Sequence, residues 1–188
     1  ARGRAIPTGS CATVGLGGLA QGGGVGFASR KLGTTSDNVL SFGIVTADGR
    51  HRICDRHAHE DLYWACRGGG GGNFGVVTHF TLRTHPVPDV SYFFADWDWA
   101  RAPEVIEAWL AFAPHAPDEL FSICTLGAGG PSVGVAGQLL GPEPALRRAL
   151  SPLAQVPGLR LTTGSSSYFD AQLRWAGSPC GELGRAGE

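Results

Sequence analysis

Between Gly9 and Phe27 the chain reads GSCATVGLGGLAQGGGVGF, with glycine at 8 of these 19 positions and a cysteine near the start. Few ordered structures use so much glycine. Glycine tolerates positive φ and lets backbone N–H groups approach a ligand with no β-carbon in the way. Chains hold phosphate oxygens with this kind of backbone. A flexible linker is the plainer reading, but linkers are polar and rich in Gly and Ser. Here Val14, Leu16, Leu19, Val25 and Phe27 alternate with the glycines, which predicts a packed, structured ligand loop.

The rest of the composition narrows the choice. Hydrophobic residues make up 43% of the 188 positions and charged ones 16%, as in a globular protein. The formal net charge is −1 with no basic run, so nucleic acid and anionic membranes are excluded as expected partners. No apolar stretch approaches the roughly 20 residues of a membrane span. The 5 cysteines are odd in number and lack metal-ligand spacing, which argues against both a disulfide framework and a zinc site. The HAHE stretch, His57 to Glu60, falls in a loop, and no metal is expected. The sequence contains no methionine and enters the glycine loop without a preceding core element. It therefore reads as a piece of a longer translation product, expected to be inactive alone, with any targeting segment upstream.

Along the chain, Ala28 to Gly33 reads as a short helix or turn. Leu40, Phe42, Ile44 and Val45 read as a strand that turns at Ala47–Gly49 and returns through RHRIC, a hairpin. HEDLYWACRG follows as a short helix, with Asp61 near its start and glycines at its end. Trp64 and Phe74 read as core residues. Val76 to Arg83 alternates as a half-buried strand. His85–Asp89 carries two prolines and sets a boundary between a domain over 1–88 and one over 89–188. In the second domain a strand (VSYFFADWDW) leads to a helix with Pro103 at its start. That helix has Val105, Ile106, Trp109, Leu110 and Phe112 as its apolar face. Two strands, a helix ended near Pro152 and a last strand (LRLTTGSS) complete the order βαββαβ, that of a ferredoxin-like sheet with helices on one face.

GLGGLA, Gly15 to Ala20, satisfies a loose dinucleotide fingerprint, with Asp37 at about the right distance. A Rossmann site needs a strand before the motif and a long helix after it, and three consecutive glycines disfavour that helix. The longer pieces CATVGLGGLAQGGGVGFASRKLGTTSDNV, VVTADGR and DLYWACRGGGGGNFGVVTHFTLRTHPVP resemble the berberine bridge enzyme family, within the vanillyl-alcohol-oxidase type of FAD-dependent oxidoreductases. YFDAQLRWAG, Tyr168 to Gly177, resembles it too, and the likeness fades in the ending SPCGELGRAGE.

The resemblance implies an α+β chain: the second part of a PCMH-type FAD-binding domain, followed by the beginning of a substrate domain, an antiparallel sheet over helices. It implies FAD as cofactor and places Cys11 where members form a thioether to C6 of the flavin. A thiolate adding to an electrophilic ring must be accessible, whereas a small buried cysteine would be inert. The family's second attachment, a histidine on C8α, matches none of the six histidines here and would lie before residue 1. Carried over by position, Thr13, Val14, Gly15, Gly17 and Gly18 line the pyrophosphate and flavin, with Gly22, Gly23 and Gly24 close behind. Asp37 and Asn38 close the loop, and Gly75, Val76 and Val77 lie against the cofactor. Gly68–Gly72 is either a plain turn or a further FAD contact. Two departures are Ala12, where a proline is frequent, and Leu19, where plant members often carry a histidine. The implied activity is hydride removal from a small organic substrate, a sugar or secondary metabolite, with molecular oxygen as acceptor. The base is not assigned. The rival readings are an NAD(P)-dependent Rossmann dehydrogenase and a flavin-free carbohydrate-binding protein on the same fold.

Overall fold

A computed structural model describes residues 3–127 and 131–177. Residues 1–2, 128–130 and 178–188, the last including the ending SPCGELGRAGE, lie outside the described residues. The chain divides into two compact units: one runs through Val87 and includes Trp175–Gly177, and the other runs from Pro88 through Arg174.

The first unit holds β1 (Arg4–Ala5), α1 (Leu16–Gly22), α2 (Ser29–Leu32), β2 (Val39–Val45), β3 (His51–Asp55), α3 (Glu60–Ala65), β4 (Val76–Leu82) and β5 (His85–Pro86). The expected hairpin is β2–β3, antiparallel, with Gly49 at φ +75° in its turn. Strand β4 pairs with the other edge of β2, giving the order β3-β2-β4. Phe42 and Ile44 point to one face and are fully buried. Ala20, Cys54 and Cys66 join them in a core against which Leu62, Tyr63 and Phe80 pack. The pairing β1–β5 joins Arg4 to Pro86, and the Arg4 guanidinium donates to the hydroxyl (2.7 Å) and carbonyl (2.6 Å) of Thr84.

Helix α1 lasts only 7 residues and ends at Gly22, so the long helix that a dinucleotide fingerprint needs does not form. Two sequence expectations fail here. Trp64 is 80% exposed and Phe74 is also exposed; Leu62 and Tyr63 of α3, half-buried, pack against the core instead. The glycine loop is not packed throughout: Val14, Leu16 and Val25 are exposed and only Phe27 of the five apolar residues is fully buried.

Asn38 anchors the entry to β2. Its Nδ2 donates to the carbonyls of Leu32 and Thr34, both at 2.8 Å, and its Oδ1 meets His85 Nε2 at 2.6 Å. Burial, with Arg83 and Arg4 nearby, lowers the His85 pKa. A neutral imidazole donating to the Asn38 oxygen is consistent with that shift. Asn38→Ala leaves these buried groups without partners. It is expected to lower stability by about 1–3 kcal/mol, read as a drop in urea midpoint at unchanged slope. An unchanged midpoint would show that the loop closes without this side chain.

The second unit contains β6 (Val90–Trp97), α4 (Ala102–Phe112), β7 (Leu120–Gly127), β8 (Ser132–Leu139), α5 (Glu143–Ala149), β9 (Arg160–Ser166) and α6 (Tyr168–Trp175), whose last residue is counted with the first unit. Its antiparallel sheet has the order β7-β8-β6-β9, the ferredoxin-like arrangement expected from the sequence. Phe93, Ala95 and Trp97 alternate inward and form a core with Val105, Val135 and Leu146. Trp97 satisfies its indole N–H on the Val156 carbonyl at 3.2 Å. Leu110 departs from the apolar face read in α4 and is exposed, whereas Val105 and Phe112 are buried. Helix α5 ends before Pro152, as the ring requires.

Candidate functional site

The glycine loop enters α1 through Gly15, which caps the helix in an extended conformation with no side-chain hydrogen bond and no acidic residue in the first turn. Leu19 N donates to the Gly15 carbonyl at 3.1 Å as the first helical bond. The N–H groups of Leu16, Gly17 and Gly18 thus have no acceptor within the helix. Every residue from Cys11 to Gly18 is exposed.

The glycines of this region serve two different purposes. At Gly24 a β-carbon would collide with the Thr35 side chain, and at Gly26 with the Thr8 carbonyl. These two are demanded by the chain itself. At Gly15 and Gly18 a β-carbon would meet nothing within 4 Å, and at Gly17 only the edge of Phe80, at 4.0 Å. None of these three has a positive φ. A glycine inside a helix is destabilising by roughly 0.5–1 kcal/mol relative to alanine, and no contact of the chain requires Gly17 or Gly18. The surface they leave is a shallow cradle that a β-carbon would fill, suited to a flat or extended ligand lying close to the backbone.

Cys11 stands at the mouth of this cradle and is exposed. Cys54 and Cys66 are buried in the core, and burial pushes both thiol pKa values up, as it does for Cys124. Cys180 lies outside the described residues. Among the described cysteines, Cys11 has the most accessible sulfur. Val14, three residues on, is 51% exposed. Val76 at the start of β4 is 69% exposed, whereas Val77 turns inward against the core. Gly75 has φ +144°, and a β-carbon there would strike the Val45 carbonyl. Its absence lets β4 pair closely with β2.

The remaining residues expected at the site lie at the other end of α1, about 10 Å along a helix of this length. The carbonyls of Gly23 and Gly24 accept from Ser36 N (2.8 Å) and Thr35 N (2.9 Å), and Ser36 Oγ donates to the Ala20 carbonyl at 2.6 Å. Gly22, beside them, has open space around it. The Asp37 carboxylate accepts from Thr34 Oγ1 (2.7 Å) and Thr34 N (2.8 Å). These bonds, side chain first, with Arg67 nearby, hold its pKa below the ordinary value. Asn38 is committed as described above. The second glycine cluster also belongs to this end. Gly68 N and Gly70 N both donate to the Gln21 carbonyl, at 2.9 and 3.0 Å, so these two N–H groups cap α1.

Sequence reasoning missed Gln21 and Arg67 as supports of this scaffold. Arg67 donates to the Ser36 carbonyl at 2.9 Å and lies 4.6 Å from the centre of the Tyr63 ring. No local pattern announces either role. In the second unit, the sheet face away from α4 and α5 carries Tyr92, Phe94 and Ile123. The Tyr92 ring lies against Gly164 and under the Arg174 guanidinium, 4.1 Å from its centre. Gln138, opposite both Tyr92 and Phe121, is fully buried on this face. Every strand pairing among the described residues is antiparallel, which opposes a Rossmann βαβ core. Among the described residues no group of three His, Cys, Asp or Glu side chains is placed to hold a metal, and no helix is long and apolar enough to cross a membrane.

A family described as an FAD binding domain matches residues 1–55. The chain is 37% identical over 158 residues to the uncharacterized FAD-linked oxidoreductase YgaK of Bacillus subtilis, covering 80% of this chain and 35% of that protein. The berberine bridge enzyme-like protein 1 of Physcomitrella patens superposes with a TM-score of 0.88 at 30% identity, over 95% of this chain and 39% of its own. The glucooligosaccharide oxidase of Acremonium strictum, which has a 6-S-cysteinyl, 8α-N1-histidyl FAD, superposes with a TM-score of 0.81 at 25% identity, over 92% of this chain and 37% of its own. The chain spans about a third or less of the length of the first curated relatives it matches.

Proposed function

The chain belongs to the berberine bridge enzyme-like FAD-linked oxidoreductases, and from that premise we propose that it carries the flavin loop of an oxidase acting on a small organic substrate. The observation that supports this most is the cradle at Gly15, Gly17 and Gly18, open to a ligand and unexplained by the chain's own packing. FAD bound here would supply the redox chemistry, that of hydride removal from an activated carbon with molecular oxygen as final acceptor. The chain supplies position. The N–H groups of Leu16, Gly17 and Gly18 offer donors to electron-rich oxygen or nitrogen of the cofactor. Cys11 would hold the flavin through a thioether at C6, and Val14 and Val76 would provide apolar contact beside it. Glycines 23 and 24, with Asp37 and Asn38, keep the far end of α1 fixed so that the loop keeps its shape.

A sugar or sugar-like substrate agrees with the open sheet face of the second unit. Phe94 and Ile123 on this face offer apolar surface to a pyranose ring, whereas Gln138 is buried and the Tyr92 ring is covered by Arg174. A flavin-free carbohydrate-binding protein would share this face but bind no flavin.

Cys11→Ala tests the attachment. The whole protein should stay yellow after acid precipitation, with its flavin on the peptide carrying Cys11. The Cys11→Ala variant should carry no flavin at that peptide, show an altered absorption spectrum and retain less cofactor. Identical spectra and retention in both proteins would remove Cys11 from the site.

A further inference from the structure

On the first unit's sheet, the face away from α1 and α3 carries a polar cluster that the flavin reading does not use. His79 on β4 lies directly opposite Gly43 on β2, and His51 on β3 lies opposite the nearby Val45. The two imidazoles therefore come from the two outer strands and lean over the central one, with ring centres 6.0 Å apart. Gly43 makes this possible. The point where its β-carbon would sit is 2.7 Å from both His51 Nε2 and His79 Nδ1.

A third ligand atom joins them. The register between β2 and β4 shifts between Gly43 and Ile44, and Thr78 is the extra residue of that irregularity. Such bulges re-aim a side chain. Here the Thr78 hydroxyl donates to the Gly43 carbonyl at 3.2 Å and sits 3.1 Å from His79 Nδ1 and 3.5 Å from His51 Nε2. With its proton given to the carbonyl, the oxygen presents lone pairs toward the two ring nitrogens. Two imidazole nitrogens and one hydroxyl oxygen thus converge above a residue that has no side chain. Both histidines are exposed, so a cation can reach them from solvent.

We propose that His51 and His79, brought together over Gly43 with Thr78 beside them, form a site for a divalent transition-metal ion. Imidazole pairs suit copper, nickel and zinc, with copper bound most tightly among them. Two protein nitrogens at about 2.0–2.1 Å, with water completing the shell, make an open site of moderate affinity.

The test uses Cu2+ alone, titrated into the full chain and followed by calorimetry and electron paramagnetic resonance. One Cu2+ should bind at this face with two nitrogens in its coordination plane. His51→Gln and His79→Gln should each weaken binding at least tenfold. Gly43→Ala should do the same without removing a ligand, because the added methyl separates the rings. Should Gly43→Ala fail to fold, the two glutamine variants decide alone. The double variant His57→Gln/His59→Gln should bind as the unaltered chain does. The assignment is overturned if either His51→Gln or His79→Gln keeps full affinity, if the His57/His59 variant loses it, or if the unaltered chain binds no Cu2+.

Discussion

Replacing Gly17 or Gly18 by valine is expected to weaken FAD binding by the whole protein at least 100-fold, about 2.7 kcal/mol, with no loss of thermal stability. The two halves of this expectation come from the same observation. The missing β-carbon points into open space at Gly18 and meets only the edge of Phe80, at 4.0 Å, at Gly17, so the fold has room for the new side chains. Valine is also a somewhat better helix former than glycine, which leaves no reason for α1 to melt. The branched side chain instead occupies the volume where the flavin would approach the backbone. FAD titrated into the same variants carrying Cys11→Ala, in which no thioether to Cys11 forms, with melting temperatures measured alongside, separates a filled cradle from a damaged fold. Unchanged affinity would mean that the ligand of this loop lies elsewhere.

Val14→Leu is expected to slow reoxidation of the reduced protein by oxygen at least tenfold while leaving flavin content unchanged. Val14 is exposed three residues after Cys11, beside the proposed ring position. The resemblance links valine here to oxygen-reactive members and leucine to dehydrogenases. The physical difference is one methylene in a space that must admit a diatomic molecule. Stopped-flow mixing of each reduced protein with oxygen gives the two rates. Equal rates would show that access to the flavin is not controlled at this position.

The second unit was the more legible half of the chain. Burial alternates from Ser91 to Trp97, and α4 carries a proline in its first turn, so period and punctuation agreed with one topology. The first unit hid more. Helix α1 runs through glycines that propensity disfavours, and its last turn is held by Gly68 and Gly70 from a distant segment. The exposure of Trp64 could not be read from α3, because an apolar residue in a short helix does not announce which side the sheet will take. The pairing of β1 with β5 joins residues about eighty positions apart, beyond any local pattern. At the candidate site, the sequence marked one glycine-rich segment but not the division of labour within it. Cys11 to Gly18 face outward, whereas Gly24 and Asn38 are engaged within the chain, and only the packing around each glycine separates the two groups. The histidine cluster was unreadable for a similar reason: it depends on a register shift at Thr78.

The central claim is that the open loop from Cys11 to Gly18 is the seat of the flavin. An experimental structure of the flavin-loaded whole protein tests it most directly, through the position of the isoalloxazine ring. The account predicts continuous density from Cys11 Sγ into the ring, with the backbone N–H groups of Leu16, Gly17 and Gly18 directed at the cofactor and Val14 beside it. A flavin bound elsewhere, with Cys11 to Gly18 still open to solvent, would contradict it.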